Sequence, residues 1–165
     1  MNLSIVKPHT KHTEAIVAIC AAGWRQTVEG KLSEEYQLKN VDFWYNYERV
    51  YSDIEAGFYT HVALINSEIV GVIGGAITGP SVGEIFVLYV DEAHRYNGIG
   101  RLLLEAITGQ QKDSGASEQW VSVQEGNKHG IPFYEARVFL YREKKITSTD
   151  TGEKQVSLRY SRRIN

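Results

Sequence analysis

Several things are scarce in this chain of 165 residues. It has one cysteine (Cys20), one methionine and three prolines. A lone cysteine excludes an internal disulfide framework and a cysteine-rich zinc site. The five histidines are scattered and lack a His-Glu-x-x-His spacing, so no metal site is expected. No apolar run reaches the roughly 20 residues that a membrane-spanning helix needs. The N-terminus lacks the apolar core of a signal peptide. A soluble, cytoplasmic protein with no membrane partner is therefore the expectation. Charge of one sign is also missing: 18 Lys and Arg face 20 Asp and Glu, for a net charge of -2. Such a balance gives no global attraction to nucleic acid, and no nucleic-acid partner is expected. The local basic cluster of Arg159, Arg162 and Arg163 reads as a solvated edge strand or tail. Internal repeats, low-complexity stretches and linkers are absent too, and the length suits a single domain over residues 1–165.

What is present is a regular alternation of elements. Residues 3–7 read as a strand closed by Pro8. Ile16, Ile19, Cys20 and Gly23 recur at helical spacing, with Thr10 or a neighbour as the cap. Residues 23–32 break that pattern and are expected to form a loop holding Trp24, Arg25, Gln26 and Glu29. Ser33, followed by Glu34 and Glu35, opens a second helix predicted to run to about Val50. Residues 58–65 and 68–78 flank Asn66-Ser67 as a β-hairpin, with Gly71, Gly74 and Gly75 marking a bulge or a close backbone approach. After the turn Gly79-Pro80-Ser81 comes a strand over 84–90, then a helix whose Ile99, Leu102, Leu103, Ala106 and Ile107 share one face. A strand over 119–124, a short helix over 131–137 and strands over 138–143 and 154–161 complete the chain. In the last strand Val156, Leu158 and Tyr160 alternate with polar residues.

The most informative segment begins with Glu84-Ile-Phe-Val-Leu-Tyr-Val90 and extends to Arg101. Its apolar, β-branched and aromatic run reads as a buried strand. The strand leads through a charged loop into a helix by way of Arg95-Tyr96-Asn97-Gly98-Ile99-Gly100-Arg101. Glycines leave room for close approach to a ligand. The first N–H groups of a helix have no intrahelical acceptor, and the helix dipole there favours negative charge. Together these describe a phosphate cradle. A dinucleotide fingerprint would need a third glycine where Leu103 stands; Glu118 lies at the expected distance downstream, but a lone acid there is a weak signal. No Gly-x-x-x-x-Gly-Lys-Ser/Thr occurs. A plain helix start is the remaining alternative. The segment resembles the acyl-CoA-binding motif of the GNAT superfamily of N-acetyltransferases, Arg/Gln-x-x-Gly-x-Gly/Ala after a strand.

A second segment, Asn127-Lys-His-Gly-Ile-Pro-Phe133-Tyr134-Glu135, is similar to the GNAT pattern Asn-x-x-Ala-x-x-Phe-Tyr-Glu. Gly130 replaces the usual alanine. Val138 stands where the family prefers glycine, and because a β-branched residue does not cheaply take φ > 0, the helix is expected to end differently here. The element order β-α-α-β-β-β-α-β-α-β-β is also that of GNAT enzymes. The resemblance implies an α/β (α+β) fold: a mixed, mostly antiparallel twisted sheet of about seven strands, flanked by about four helices and splayed between strands four and five, where the pantetheine arm enters.

The resemblance further implies acetyl-CoA as co-substrate, an amine acceptor, no metal, and a monomer or homodimer. Acetyl transfer to an amine requires that the amine lose a proton, that the carbonyl oxygen be stabilised and that the departing thiolate gain a proton. With a lysine-like pKa near 10.4, deprotonation at pH 7 costs roughly 4–5 kcal/mol. Glu84 is the candidate base, expected to share a strand face with Leu88 and Val90; a surface carboxylate is the alternative. Tyr134 is the candidate acid for the thiolate, and a core aromatic is its alternative. Leu88 and Val90 would act through backbone groups. Residues 95–101 would receive the pyrophosphate, Asn127 the pantetheine, and Trp24, Gln26, Glu29 and Tyr36 the acceptor. Cys20 reads as core rather than nucleophile. A non-catalytic acyl-CoA-binding module and an enzyme for longer acyl chains are the rival readings.

Overall fold

The computed structural model describes residues 2–149 and 151–165. Seven strands form one sheet: β1 (Leu3–Val6), β2 (Tyr59–Ile65), β3 (Glu68–Gly79), β4 (Val82–Val90), β5 (Glu118–Gln124), β6 (Leu140–Ser148) and β7 (Lys154–Arg163). Their order across the sheet is β1-β2-β3-β4-β5-β7-β6. The pairing of β4 with β5 is parallel and the other pairings are antiparallel. Two hairpin turns follow from their residues. Asn66 (φ 50°) and Ser67 (φ 70°) turn β2 into β3 as a two-residue loop with both central residues left-handed. Pro80 and Ser81 (φ 61°) turn β3 into β4, proline fixing the first central position.

Five α-helices cover the sheet: α1 (Thr13–Val28), α2 (Glu34–Trp44), α3 (Tyr47–Glu55), α4 (Ile99–Asp113) and α5 (Gly130–Ala136). On one face, Ile16 and Cys20 of α1 and Val50 and Ile54 of α3 pack on Tyr59, Val62 and Val72. On the other, Leu103, Leu104 and Ile107 of α4, with Tyr134 of α5, pack on Ile73, Ile85, Val121 and Tyr160.

Several expectations change. The stretch 23–28 is helical: α1 continues to Val28, so Trp24, Arg25 and Gln26 are presented from a helix and only Glu29 begins the loop. Gly23 does not end the helix because it serves packing. A Cβ there would lie 2.3 Å from Cδ1 of Tyr89, so the missing side chain lets α1 close on β4. The helix expected from Ser33 to about Val50 is two helices. Ser33 caps α2 through Oγ, which accepts from Tyr36 N (3.1 Å), and Asn46 starts α3 by accepting from Arg49 N (2.8 Å). Residues 138–139 precede the next strand, β6, which begins at Leu140. Strand β7 is internal rather than an edge, so Arg159 and Arg162 are not part of a solvated tail. Arg162 instead bonds Gln119, Thr108 and the Arg137 carbonyl.

The most consequential change is in β4. Gly74 pairs with Val87 but Gly75 pairs with Ile85, so Phe86 is the extra residue of a β-bulge. A bulge reverses the alternation beyond it. Ile85, Leu88 and Val90 therefore face α4, while Val87 and Tyr89 face α1 and α3. Glu84 lies on the latter side, bonded to Arg159, and does not share a face with Leu88 and Val90 as expected. Pairing of β4 to β5 ends at the same place: it covers Val82↔Glu118 through Ile85↔Val121 and nothing beyond. From Phe86 onward the two strands diverge, which is the splay that the resemblance implied.

Candidate active site

The gap between β4 and β5 opens into a cavity of about 1770 Å³, larger than a usual small-ligand pocket of about 300–1,000 Å³ and wide enough for two reactants. Fifteen of the sixteen candidate residues line it; Asn97 does not, and its Nδ2 donates to the His94 carbonyl (3.3 Å). Their roles are built from four local structures.

The first is the start of α4. Gly98 is its N-cap, in the left-handed region at φ 79°, and offers no side chain to the helix. Leu102 N bonds Gly98 O (3.1 Å), whereas the N–H groups of Ile99, Gly100 and Arg101 meet no acceptor among the described residues. Helix α2, by contrast, has Ser33 and Glu153 at its N-terminus. An uncapped, positive helix end opening on a cavity is suited to an anion. Gly100 has a further reason to lack a side chain: a Cβ there would sit 3.2 Å from the Phe133 ring of α5. Tyr96 also takes positive φ (65°), and its hydroxyl meets His129 Nδ1 at 3.0 Å, linking the two lips of the gap. The arginine side chains are already engaged: Arg95 Nη2 donates to Gln26 Oε1 (2.6 Å), and Arg101 pairs with Glu105 (3.0 Å). Gln26 thus ties α1 to the loop that precedes α4 while still lining the cavity.

The second is the open edge of β4. Asp91 N donates to Val70 O (2.8 Å), so alternate N–H groups point at β3, and those of Leu88 and Val90 point into the gap that β5 has left.

The third is α5. Asn127 Oδ1 accepts from Gly130 N (2.8 Å) and His129 N (3.1 Å) and so initiates the helix. A Cβ on residue 130 would lie 2.7 Å from Asn127 Nδ2, which accounts for glycine in place of alanine. At the other end the expectation about Val138 is overturned. It adopts φ 65°, and the bonds Phe139 N→Tyr134 O (3.1 Å) and Val138 N→Glu135 O (3.1 Å) make a Schellman cap. The helix ends as it would with glycine, at the cost of strain. That cap seats Tyr134: its ring packs edge-on to Phe133 and Phe139, both at 5.2 Å. The residue is 6% exposed, and its hydroxyl bonds no described residue and opens on the cavity. Burial pushes the phenol above its ordinary pKa, with Arg162 opposing, so it stays protonated at neutral pH.

The fourth is Glu84. Arg159 Nη2 donates to its Oε1 (2.9 Å), while Arg159 also reaches Ser122 (2.8 Å) and lies over Trp120 (5.0 Å). Sequence reading missed Arg159. Its alternation with Leu158 and Tyr160 placed it on the opposite face, but nothing in the sequence places β7 two strands from β4. On the same side Gln155 of β7 lines the cavity, close to a cluster around Glu153. Glu153 accepts from Ser33 N and from Ser33 and Thr151 hydroxyls, and Tyr36 OH donates to Gln155 (3.0 Å). Cys20 is fully buried and its thiol is pushed up by that burial, the opposite of what a nucleophile requires.

Among the described residues no group of three potential metal ligands occurs, and no helix is long and apolar enough to cross a membrane. A splayed mixed sheet with an uncapped helix at the gap defines the class as an acetyltransferase fold. The family model described as Acetyltransferase (GNAT) family matches residues 18–139, and the chain belongs to that family. No curated protein sequence matches the chain. Among solved structures it is similar to the PaiA N-acetyltransferase of Thermoplasma acidophilum in complex with coenzyme A (22% identity, TM-score 0.78, covering 96% of this chain and 98% of that one). It is also similar to a GCN5-related N-acetyltransferase from Rhodopseudomonas palustris (18%, 0.80, 99% and 96%). A third is the ribosomal-protein-S18-alanine N-acetyltransferase of Escherichia coli (18%, 0.67, 99% and 94%).

Proposed function

We propose that the protein transfers an acetyl group from acetyl-CoA to a primary amine by direct attack in a ternary complex. The observation that carries this is the buried Tyr134 hydroxyl, bonded to no described residue, in one cavity with the open α4 N-terminus and Glu84. The residues fit an acyl-CoA. The N–H groups of Ile99, Gly100 and Arg101 receive the pyrophosphate, and the free backbone groups of Leu88 and Val90 receive the pantetheine and polarise the acyl carbonyl. Acetyl-CoA supplies the activated acetyl group as a thioester. As the amine nitrogen bonds the carbonyl carbon and the carbon–sulfur bond breaks, Tyr134 gives its proton to the sulfur. The excess proton on nitrogen leaves to Glu84, directly or through water, and from there to solvent. Asn127 holds the start of α5, and Trp24, Glu29 and Tyr36 wall the acceptor side.

The experiment is to incubate the protein with acetyl-CoA and a panel of amines, following free thiol release and amide formation by mass spectrometry. Equimolar amide and thiol are expected, with no acetyl group left on the protein. Acetyl-CoA binding without amide from any amine would favour a binding module instead.

A further inference from the structure

The bulge that displaces Glu84 also exposes Phe86. As the extra residue of β4 it has no partner position on β3, and it is 48% exposed inside the cavity. Phe58, which leads into β2, lies beside it with ring centroids 6.4 Å apart and is 44% exposed. Two phenyl rings thus form an apolar step in a reactant cavity, left uncovered by the described residues, the usual mark of a surface that a ligand covers. The step lies two residues along the strand from Glu84, at most about 6–7 Å.

Charge on this side of the cavity is balanced. Glu84 is paired with Arg159 and Asp53 with Arg49 (3.3 Å), while Glu29 shares the wall with Lys31. A polycation, whether a polyamine or an amino-sugar antibiotic, gains little from a wall whose carboxylates are already matched by cations. A single ammonium on an apolar body loses little there and gains the rings.

Taking the acetyl-transfer reading as its basis, we infer that the acceptor is a monoamine with an aromatic ring two or three carbons from the nitrogen, its ring on Phe58 and Phe86 and its nitrogen at Glu84. Thioester consumption is measured with four amines: 2-phenylethylamine, n-butylamine, spermidine and a tripeptide with a free N-terminus. Burying a phenyl ring should raise kcat/KM for 2-phenylethylamine about 10- to 100-fold over n-butylamine and spermidine. In Phe86→Ala the preference for 2-phenylethylamine over n-butylamine should shrink about tenfold, a ratio that a general folding defect leaves unchanged. Should Phe86→Ala not fold, Phe58→Leu reads the same ratio while keeping an apolar side chain. Preference for spermidine or the tripeptide, a wild-type ratio near one, or a ratio unmoved by the substitutions overturns the acceptor class alone. Consumption with none of the four also overturns the acceptor class, and the transfer reading falls with it when the wider amine panel yields no amide either.

Discussion

At the scale of single residues, the proposed proton transfers rest on two side chains, and each can be tested by itself. Tyr134→Phe keeps the ring packing on Phe133 and Phe139 and removes only the hydroxyl. A fall in kcat of about 10- to 10³-fold is expected, the range of a general acid. Unchanged turnover, with chemistry shown to limit the rate, would make Tyr134 a core aromatic. For Glu84→Gln the expected loss is largest at neutral pH and shrinks as pH approaches the amine's own pKa, where solvent deprotonates the acceptor. Parallel pH–rate profiles of the two forms would show that Glu84 is not the base. The sequence singles out both residues as candidates, Tyr134 by its motif and Glu84 by its strand position, but the surroundings of Glu84 were not legible there. Strand periodicity put it with Leu88 and Val90, and the bulge at Phe86, marked in the sequence only by Gly74 and Gly75 on the facing strand, put it opposite them beside Arg159.

At the scale of elements, ends matter more than interiors. Helix α5 ends in a Schellman cap whose left-handed position is held by Val138, 72% exposed and so losing little packing when replaced. Val138→Asn should relieve about 1 kcal/mol of strain and raise Tm by roughly 2–4 °C. A lower or unchanged Tm would mean the cap is not strained. This ending was not legible beforehand, because backbone propensity argued for a different one and the tertiary seat of Tyr134 and Phe139 prevailed. The tip of the β6–β7 hairpin is tied to α2 through Glu153, whose carboxyl lies below its ordinary pKa because Ser33 and Thr151 donate to it. A depressed folded-state pKa means that this tie stabilises the protein above the unfolded value and is lost as pH falls through the folded one. Tm should therefore drop less steeply between about pH 5 and pH 3 in Glu153→Gln than in the parent. Equal slopes in thermal melts across that range would contradict it. Loop-to-helix and one-helix-to-two errors in residues 23–50 have the same origin. Gly23 looked like a terminator and is a packing site for Tyr89, and Tyr45-Asn46 looked helical but holds a buried ring and a cap.

At the scale of the whole molecule, the order of elements and the two motifs were readable, since strand and helix periods alternate cleanly from Phe58 onward. The place where β4 leaves β5 was not, because it depends on pairing between segments more than thirty residues apart. That divergence creates the site. It frees the backbone of Leu88 and Val90, opens the α4 N-terminus and exposes the hydroxyl of Tyr134 to one cavity. A crystal structure of the protein with acetyl-CoA tests this most directly. The pyrophosphate is expected on the N–H groups of Ile99, Gly100 and Arg101, with the thioester sulfur within hydrogen-bonding reach of the Tyr134 hydroxyl. A pyrophosphate bound elsewhere, or a sulfur out of reach of Tyr134, would contradict it.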